Sequence, residues 1–448
     1  MAEPALALNH APDPNLLSGD AIRRMGRRAL RAAFVGFFVD MFDVYLPVIA
    51  LGPAMAYFQP ATLSPAIQST LFYIVFALSL VGRPIGATIF GHFSDKIGRR
   101  KVTMISMAGF ACVTLVIGLL PGYETWGIGS LVILIALRFV DGLFLGGQYT
   151  SANPLAMEYA PKNRRGAWAA FIHTGFPVSL IVMSLITGVL LHLVPAGSAR
   201  SPYAVWGWRI PFFVGALAAF AVFLYYLRSV PESRVWAKSE KVQSPLRELF
   251  RRENLSILLQ VFFLMSGAWF TLNTVTSILP GVLLNLRHVS SITVNNAQLI
   301  ENVVMALWFV PFGMLGQMIG RRTVLWLLGL SGSTVGTAAY FLLVRSGYRN
   351  PVELIVLFTL VNFCATPVWA IVTSYINERF TTRVRATGYG IGYSAAMIIP
   401  AFTSFYMLGL GKLGIPYEYT EVFLTALGSL LLMIGALSGP ETKHADIG

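Results

Sequence analysis

Long apolar runs constrain this chain more than any other feature of its sequence. Runs of roughly 20 residues recur along its whole length, and each is long enough to cross about 30 Å of hydrocarbon as an α-helix. Only 12% of the 448 residues are charged and the mean hydropathy is +0.67, so there is too little polar surface to cover a soluble particle of this size. The sequence therefore predicts an all-α membrane protein with twelve transmembrane helices. The predicted spans are 32–55, 67–92, 102–121, 128–157, 166–193, 208–230, 254–284, 297–319, 323–344, 351–377, 386–410 and 418–438.

The distribution of Lys and Arg predicts how these spans are oriented. Most of the 33 basic residues fall in the segments that face the cytoplasm when the N-terminus is placed there, so both termini are predicted to be cytoplasmic. The net charge of +13 is then a topology signal, and because it is scattered over many loops it argues against nucleic-acid binding. The arginine-rich start, residues 1–31, is predicted to be an uncleaved segment that rests on anionic lipid.

The chain also repeats itself in two halves. The pattern G-x6-G-R-R starts at Gly91 and again at Gly313, an offset of 222, and "PES" after the sixth span is echoed by "PET" after the twelfth. Six spans followed by six more in the same orientation form a parallel repeat, with a substrate site near the bilayer midplane between the halves. The predicted parts are a basic N-terminal segment (1–31), two six-helix halves (32–230 and 254–440), a cytoplasmic linker (231–253) and a cytoplasmic tail (441–448).

The loop GHFSDKIGRRKV, residues 91–102, resembles the loop signature G-x-x-x-D-[RK]-x-G-R-[RK]-[RK] of the major facilitator superfamily. "RPIG" at 83–86, R-x-x-D-G-x-x-x-G-G-Q at 138–148 and "PES" resemble the metabolite:proton symporter and sugar porter branches, and "DMFD" at 40–43 resembles the metabolite:proton and aromatic acid:proton symporters. The resemblance covers nearly the whole chain and implies the major facilitator fold and secondary active transport by alternating access. Gln148 and Asp141 depart from the branch pattern, which has Glu and Gln there, so the acid that carries a proton in the fourth span stays open.

In the family this loop lies on the cytoplasmic side, where its acidic and basic residues help to close a gate. The alternative is that its basic residues only hold the loop inside the cell. The second copy has Gln317 where the first has Asp95, so a second latch is expected to be weaker. The predicted gating residues are Arg83, Gly91, Asp95, Gly98, Arg99, Arg100, Glu158, Arg165, Glu378 and Arg385.

Four charged residues lie where lipid-facing helices should carry none: Asp40, Asp43, Arg138 and Asp141. Such a residue costs about 2.5 to 3.5 kcal/mol near the bilayer centre, so it needs a partner or a purpose. Their i, i+3 spacing places the two pairs on single faces of the first and fourth helices. Asp43 beside Arg138 is the predicted proton carrier, with Asp40 and Asp141 as alternatives and a permanent structural ion pair as the competing interpretation. Arg138 is predicted to clamp a substrate carboxylate through two N–H groups.

Other polar and aromatic residues within the spans are candidates for substrate contact, each against the alternative of simple helix packing. Glu301 and Asn302 are predicted to lie in solvent at the outer start of the eighth span. The further candidate substrate contacts are Gln148, His173, Trp269, Asn273, Asn362, Trp369, Thr373, Tyr389 and Tyr393.

Together these features predict a bacterial-type inner-membrane symporter that takes up a proton together with a small organic anion. The anion is predicted to be a carboxylate, and an aromatic carboxylate is one option. The sequence carries no G-x4-G-K-[ST] for ATP, no metal-ligand spacing among its six His and no visible nucleophile with its base, so no cofactor, metal or enzymatic activity is predicted. The expected partners are substrate, proton and lipid bilayer, with a monomer as the working unit. The alternatives are transport of a neutral or zwitterionic solute, such as a sugar or osmolyte, and a nutrient sensor that binds without transporting.

Overall fold

The protein is helical almost throughout. The computed structural model describes residues 19–60, 62–63, 65–283, 287, 289–346 and 350–447. Eleven helices in this part are long and apolar enough to cross a membrane, and a bent pair, Arg385–Ala401 with Phe405–Lys412 at 41°, makes a twelfth when it is counted as one span. The predicted all-α membrane fold with twelve spans is therefore confirmed.

We number the spans α1 to α12 in chain order and include the breaks that interrupt some of them. The first six are α1 (Gly19–Leu46), α2 (Pro65–Ile97), α3 (Arg99–Gly118), α4 (Ile128–Tyr159), α5 (Arg165–His173 and Gly175–Leu193) and α6 (Arg209–Ser229). The last six are α7 (Arg252–Asn273), α8 (Ser291–Ile319), α9 (Arg321–Ser331 and Thr337–Arg345), α10 (Pro351–Ala365 and Trp369–Arg379), α11 (Arg385–Ser394 and Thr403–Lys412) and α12 (Tyr417–Leu437).

Two helices begin earlier than the sequence predicts. Helix α1 starts at Gly19, so the arginine-rich stretch up to residue 31 forms its first turns, with the arginine side chains exposed. Residues 1–18 of the predicted N-terminal segment lie outside the described residues. Helix α8 starts at Ser291 because the hydroxyl of Ser290 accepts a hydrogen bond from the Thr293 amide at 3.2 Å and caps it. Glu301 therefore lies well inside α8.

The two sequence repeats meet at several helix contacts, of which α2 with α11 and α5 with α8 are the most extensive. The repeated glycines mark both: a Cβ atom on Gly91 would lie 3.0 Å from the Cα of Thr387 on α11, and one on Gly313 would lie 2.4 Å from the Cβ of Ala170 on α5. Small residues at these positions let the helices approach closely. The predicted boundaries of the halves stay a prediction, although the segment between α6 and α7 holds two short helices, Arg234–Lys238 and Pro245–Leu249.

Candidate functional site

A close crossing of α2 and α4 brings their charged residues into the protein interior beside α1. A Cβ atom on Gly86 would lie 1.9 Å from the carbonyl oxygen of Leu143, and one on Gly142 would lie 2.1 Å from that of Ser79. Only glycine fits at such a distance, so the helix backbones touch here. The glycines of the two sequence motifs therefore set where the neighbouring arginines and aspartates lie.

One buried cluster joins Arg138 to two carboxylates. The Arg138 Nη1 atom lies 2.9 Å from Asp43 Oδ1 and 2.9 Å from Asp141 Oδ2, and the Thr114 hydroxyl also donates to Asp43. All three charged residues are at most 1% exposed. Two ionised carboxylates and one guanidinium leave a net charge of −1 in a low-dielectric interior, so a proton shared by the carboxyls would neutralise the cluster.

A second buried ion pair lies one turn earlier on α1. The Arg83 Nη2 atom donates to Asp40 Oδ2 at 3.1 Å, and the guanidinium lies over the Tyr149 ring at 5.0 Å. The Asp40 Oδ1 atom and the Arg83 Nε atom have no hydrogen-bond partner. This pair is therefore incompletely satisfied, and it keeps donor and acceptor atoms free for a ligand.

The main cavity lies between the halves and has Arg83 in its wall. It holds about 760 Å³ of unfilled space when its opening is included. Trp269, Trp369 and Tyr393 form a mutually edge-on cluster with ring centroids 4.4 to 5.6 Å apart. Arg83 is the one Asp, Glu, Lys or Arg among the described residues of the lining. The full lining is Phe37, Met41, Val44, Tyr45, Phe76, Leu80, Arg83, His173, Phe176, Trp269, Leu272, Asn273, Thr276, Ser277, Trp369, Tyr393, Met397, Pro400 and Ala401.

Several candidate substrate contacts from the sequence lie in this wall, namely His173, Trp269, Asn273, Trp369 and Tyr393. Whether they touch substrate stays a prediction. The wall also contains Tyr45, Thr276 and Ser277, which the sequence analysis missed. Helical periodicity places Tyr45 on the face of Met41, one turn earlier, and well away from the Asp40 face, so the sequence offered no charged neighbour as a signal for it.

A polar layer closes one end of the cavity. Asn153 of α4 donates to the Tyr389 hydroxyl of α11 at 2.8 Å, which lies 2.9 Å from the Thr373 hydroxyl of α10. The Thr373 hydroxyl in turn lies 3.3 Å from His173 Nε2 on α5. Thr373 and Tyr389, predicted as substrate contacts, thus form a floor that connects both halves.

Three predicted substrate contacts, and one residue predicted to gate, lie in other places than the sequence suggests. Arg138 is enclosed by its two carboxylates and is absent from the described lining, so it is not placed to clamp a substrate in this cavity. Gln148 is buried against α1, where a Cβ atom on Gly36 would lie 2.6 Å from its Nε2. Asn362 lines a smaller, separate cavity. Arg83, predicted to gate, lines the main cavity instead, because α2 presents that face to the midplane.

The first loop copy, the predicted gate, joins the two halves beyond the polar floor. The Asp95 carboxylate pairs with Arg99 at 2.6 Å and accepts hydrogen bonds from the backbone N–H groups of Ala386 at 3.1 Å and Thr387 at 2.8 Å, at the start of α11. A carboxylate at a helix N-terminus is stabilised by the free N–H groups and the helix dipole. Asp95 therefore connects the halves, and its helix partner is α11 rather than the next helix in sequence.

Glu158 adds a second connection at this gate. Its Oε1 atom lies 2.6 Å from Arg385 Nη1 of the other half and 3.2 Å from Arg99 Nη2, while the Ser233 hydroxyl donates to its Oε2. Arg99 also donates to the carbonyl oxygen of Thr382 at 2.9 Å. The gate is therefore closed by several charge-assisted contacts at once.

The second loop copy closes its side with fewer charges. Gln317 accepts from the Gly166 amide at 3.2 Å, the counterpart of the Asp95 contact with α11. Glu378 pairs with Arg321 of its own half at 2.9 Å, while Arg165 donates to the carbonyl oxygen of Ala445 at 2.6 Å. Within the described residues no ion pair of this copy crosses between the halves. Whether this second latch is the weaker one stays a prediction.

The "PES" and "PET" repeats have a clear local role. Glu232 accepts hydrogen bonds from the first amides of α3, at Arg99 (3.1 Å) and Arg100 (3.2 Å), and Glu441 does the same for α9. Burial raises the pKa of the Glu232 carboxyl, and its backbone hydrogen bonds oppose that shift. Gly98 precedes α3 with a φ of 119°, a conformation that L side chains rarely adopt, which explains the glycine of the loop signature.

A sequence model of the Major Facilitator Superfamily matches residues 33–308, more than half of the chain. The chain belongs to the major facilitator superfamily. As a member, it is a multi-pass membrane transporter, and the relatives found for it are transporters rather than enzymes.

Individual members of the superfamily resemble it over nearly their full length. It is 30% identical to the α-ketoglutarate permease of Escherichia coli over 86% of this chain and 87% of the permease. It is 26% identical to the E. coli shikimate transporter over 94% and 95% of the two chains. Its structure resembles that of the E. coli proton:xylose symporter XylE with a TM-score of 0.72, at 18% identity, over 96% and 98% of the chains, which supports the major facilitator fold.

The gate geometry of this superfamily member leads to a first prediction. Asp95→Asn removes the charge that pairs with Arg99 and binds the start of α11, so the gate should open more often, by about tenfold or more. We expect faster maleimide labelling of a Thr150→Cys probe, which lies buried behind the gate, in a Cys112→Ser, Cys364→Ser background. Transport should slow while membrane insertion persists.

Gln317→Ala serves as the matched control for this gate prediction. It removes a neutral contact at the equivalent position of the other half, so labelling should change much less. Equal labelling of the Asp95→Asn and parent proteins would show that the loop only sets topology.

Proposed function

We propose that this transporter takes up a small organic anion, a carboxylate with an aromatic or apolar body, together with a proton. The observation that carries the proposal is Arg83, the one Asp, Glu, Lys or Arg among the described residues that line a mainly aromatic and apolar cavity between the halves. A planar guanidinium suits a carboxylate because two parallel N–H groups match its two oxygens.

The cavity wall supports an aromatic or apolar body for the substrate. The rings of Trp269, Trp369 and Tyr393 present edges and faces to the same space, and such surfaces bind flat or apolar groups. The similarity to transporters of α-ketoglutarate and shikimate, which are both carboxylates, supports the anionic group. The substrate is therefore proposed to place its carboxylate at Arg83 and its body among the rings.

Proton coupling follows from the partner that Arg83 already has. A substrate carboxylate at Arg83 competes with Asp40, and a buried Asp40 that loses its counter-ion is costly unless it takes a proton. Binding of the anion and uptake of a proton are then one event, which leaves the cavity neutral and able to close. Asp43 with Asp141 remains the alternative carrier, since these two carboxyls share Arg138.

A zwitterionic substrate is the second candidate. Its carboxylate would bind Arg83 in the cavity wall without any proton, and its ammonium group would act as a counter-charge for Asp40, which pairs with Arg83 but does not itself line the cavity. A neutral sugar has less support, because it offers no charge to the guanidinium of Arg83 in the cavity wall.

The setting of the transporter is also part of the proposal. We place it in the inner membrane of a bacterial-type cell, with both termini and the Asp95 gate on the cytoplasmic side, because the basic loops lie there. With the gate sealed, the cavity then belongs to a state that receives substrate from outside. A functional monomer is proposed, since each chain supplies both halves around its own cavity.

A binding screen tests the substrate class. Purified protein in detergent is heated with aromatic carboxylates, aliphatic carboxylates, zwitterions and sugars, and the melting temperature is read from tryptophan fluorescence. Aromatic and compact carboxylates should raise the melting temperature in a saturable manner. The underlying gain in the free energy of unfolding is RT ln(1 + [L]/Kd). If only zwitterions or only sugars raise the melting temperature, the anion proposal is wrong. Binding without accumulation in vesicles would instead favour a sensor.

A further inference from the structure

A second, smaller cavity lies between α8 and α10, apart from the main one. Glu301 of α8 lies in its wall together with Thr359, Asn362 and Thr366 of α10. Glu301 is 5% exposed and lies ten residues inside its helix, so the predicted solvated position at a helix start is wrong for it. Its neighbours on α10 follow the i, i+3, i+7 spacing of one helix face. A row of oxygen-bearing side chains thus faces a buried carboxylate.

Three of these four side chains carry an oxygen without a hydrogen-bond partner among the described residues, whereas the Thr366 hydroxyl donates to the Asn362 carbonyl oxygen at 2.8 Å. The Glu301 Oε1, Asn362 Oδ1 and Thr359 Oγ1 atoms are buried without a hydrogen bond. The Asn362 amide nitrogen donates to the Phe358 carbonyl oxygen at 3.0 Å, and this fixes its Oδ1 as a free acceptor. A proton on Glu301 would satisfy one acceptor at most, whereas a cation attracts all of them at once.

The charge of Glu301 is also uncompensated. The buried carboxylates Asp40, Asp43, Asp141, Glu158 and Glu378 each lie within 3.2 Å of an arginine nitrogen. No ion pair involves Glu301 among the described residues. An isolated buried carboxylate requires a counter-charge or neutralisation.

We infer that this cavity is a binding site for one Na⁺ ion, held by the Glu301 carboxylate and the side-chain oxygens of Thr359, Asn362 and Thr366. Oxygen ligands select hard cations, and the cavity has room for about one water-sized particle. A single carboxylate neutralises a monovalent ion, while a divalent ion would leave a net charge in the membrane interior.

The test needs no transported solute, so its outcome is independent of the substrate proposal. Purified protein is melted at fixed pH and constant ionic strength while choline chloride is replaced by NaCl or by KCl. Bound Na⁺ stabilises the folded state, so the wild-type melting temperature should rise saturably, by several degrees when Na⁺ exceeds its Kd about a hundredfold. Binding of radioactive ²²Na⁺ should approach one ion per chain.

Glu301→Gln should abolish both responses, and Asn362→Ala should weaken them. Glu421→Gln is the matched control, because Glu421 of α12 is also buried and outside the ion pairs of the described residues but lines neither cavity. It should respond to Na⁺ as wild type does. Equal melting temperatures in NaCl and choline chloride, equal effects of NaCl and KCl, or a normal Na⁺ response in Glu301→Gln would each overturn the site, leaving a water molecule or a permanently protonated Glu301 as the occupant.

Discussion

Arg83→Lys is expected to weaken binding of the transported carboxylate by about 10- to 100-fold while leaving the protein folded. The lysine keeps a positive charge beside Asp40, so the buried carboxylate is not left alone. An ammonium group cannot present two parallel N–H groups to a carboxylate, and the lost charge-assisted hydrogen bond accounts for the change in Kd. The Kd is measured by thermal shift and by calorimetry, with the strongest carboxylate from the binding screen.

Arg138→Lys is the matched control because it makes the same chemical change on the neighbouring helix α4. Arg138 is enclosed by Asp43 and Asp141 and does not line the main cavity. We expect a lower melting temperature with an almost unchanged Kd. The reverse pattern, with binding lost in Arg138→Lys and kept in Arg83→Lys, would restore the anion clamp that the sequence alone predicts.

A double variant separates a binding defect from a folding defect. Asp40→Asn with Arg83→Gln removes both charges of the pair and leaves no unpaired ion in the interior. This protein should insert and melt normally yet bind no carboxylate. Retained carboxylate binding in a well-folded double variant would contradict the role of Arg83.

The fold could be predicted from the sequence because membrane helices are specified by length and apolarity. The number of spans and the repeat at an offset of 222 follow from apolar runs and recurring motifs, since each span must satisfy its own backbone hydrogen bonds. The gate was also accessible, because Asp95, Arg99, Glu158 and Arg385 lie in short motifs that mark helix ends.

Which arginine lines the main cavity could not be predicted in the same way. Arg83 and Arg138 both lie within spans and next to glycine motifs. Helical periodicity assigns each arginine to a face of its helix but does not tell which residues pack against that face. The packing is set by the α2–α4 crossing, where Gly86 and Gly142 bring the two backbones into contact. Arg138 is enclosed as a result, and Arg83 is left at the cavity.

Helix ends were the other source of error. The polar stretch before residue 297 suggested a loop, yet Ser290 caps a helix that already begins at Ser291. Membrane helices can extend beyond their apolar section when the added turns are capped and packed. That shift moves Glu301 from a solvated edge into the interior of α8, where its unpaired oxygen becomes informative.

Asp40→Asn is expected to abolish uphill accumulation while substrate exchange continues. The asparagine imitates the protonated aspartic acid, so Arg83 stays available to the substrate carboxylate and the loaded cavity can still close and reopen. The empty carrier, however, has no proton to release and no ion pair with which to reset. Counterflow and pH-driven uptake are measured on the same vesicles: counterflow should stay near the wild-type rate, and accumulation should fall to the equilibrium level.

The same measurements on vesicles that contain Asp43→Asn decide which aspartate carries the proton. Arg138 keeps Asp141 as a partner at 2.9 Å in this variant, so the helices should remain joined and accumulation should persist if Asp40 is the carrier. Loss of accumulation in Asp43→Asn alone would assign the proton to the Arg138 cluster. A purely structural pair at Asp40 predicts something different: Arg83 left unpaired costs about 3 to 5 kcal/mol, so folding yield and exchange should fall together. Wild-type accumulation in Asp40→Asn would exclude Asp40 from coupling, because an asparagine side chain cannot carry a proton across the membrane.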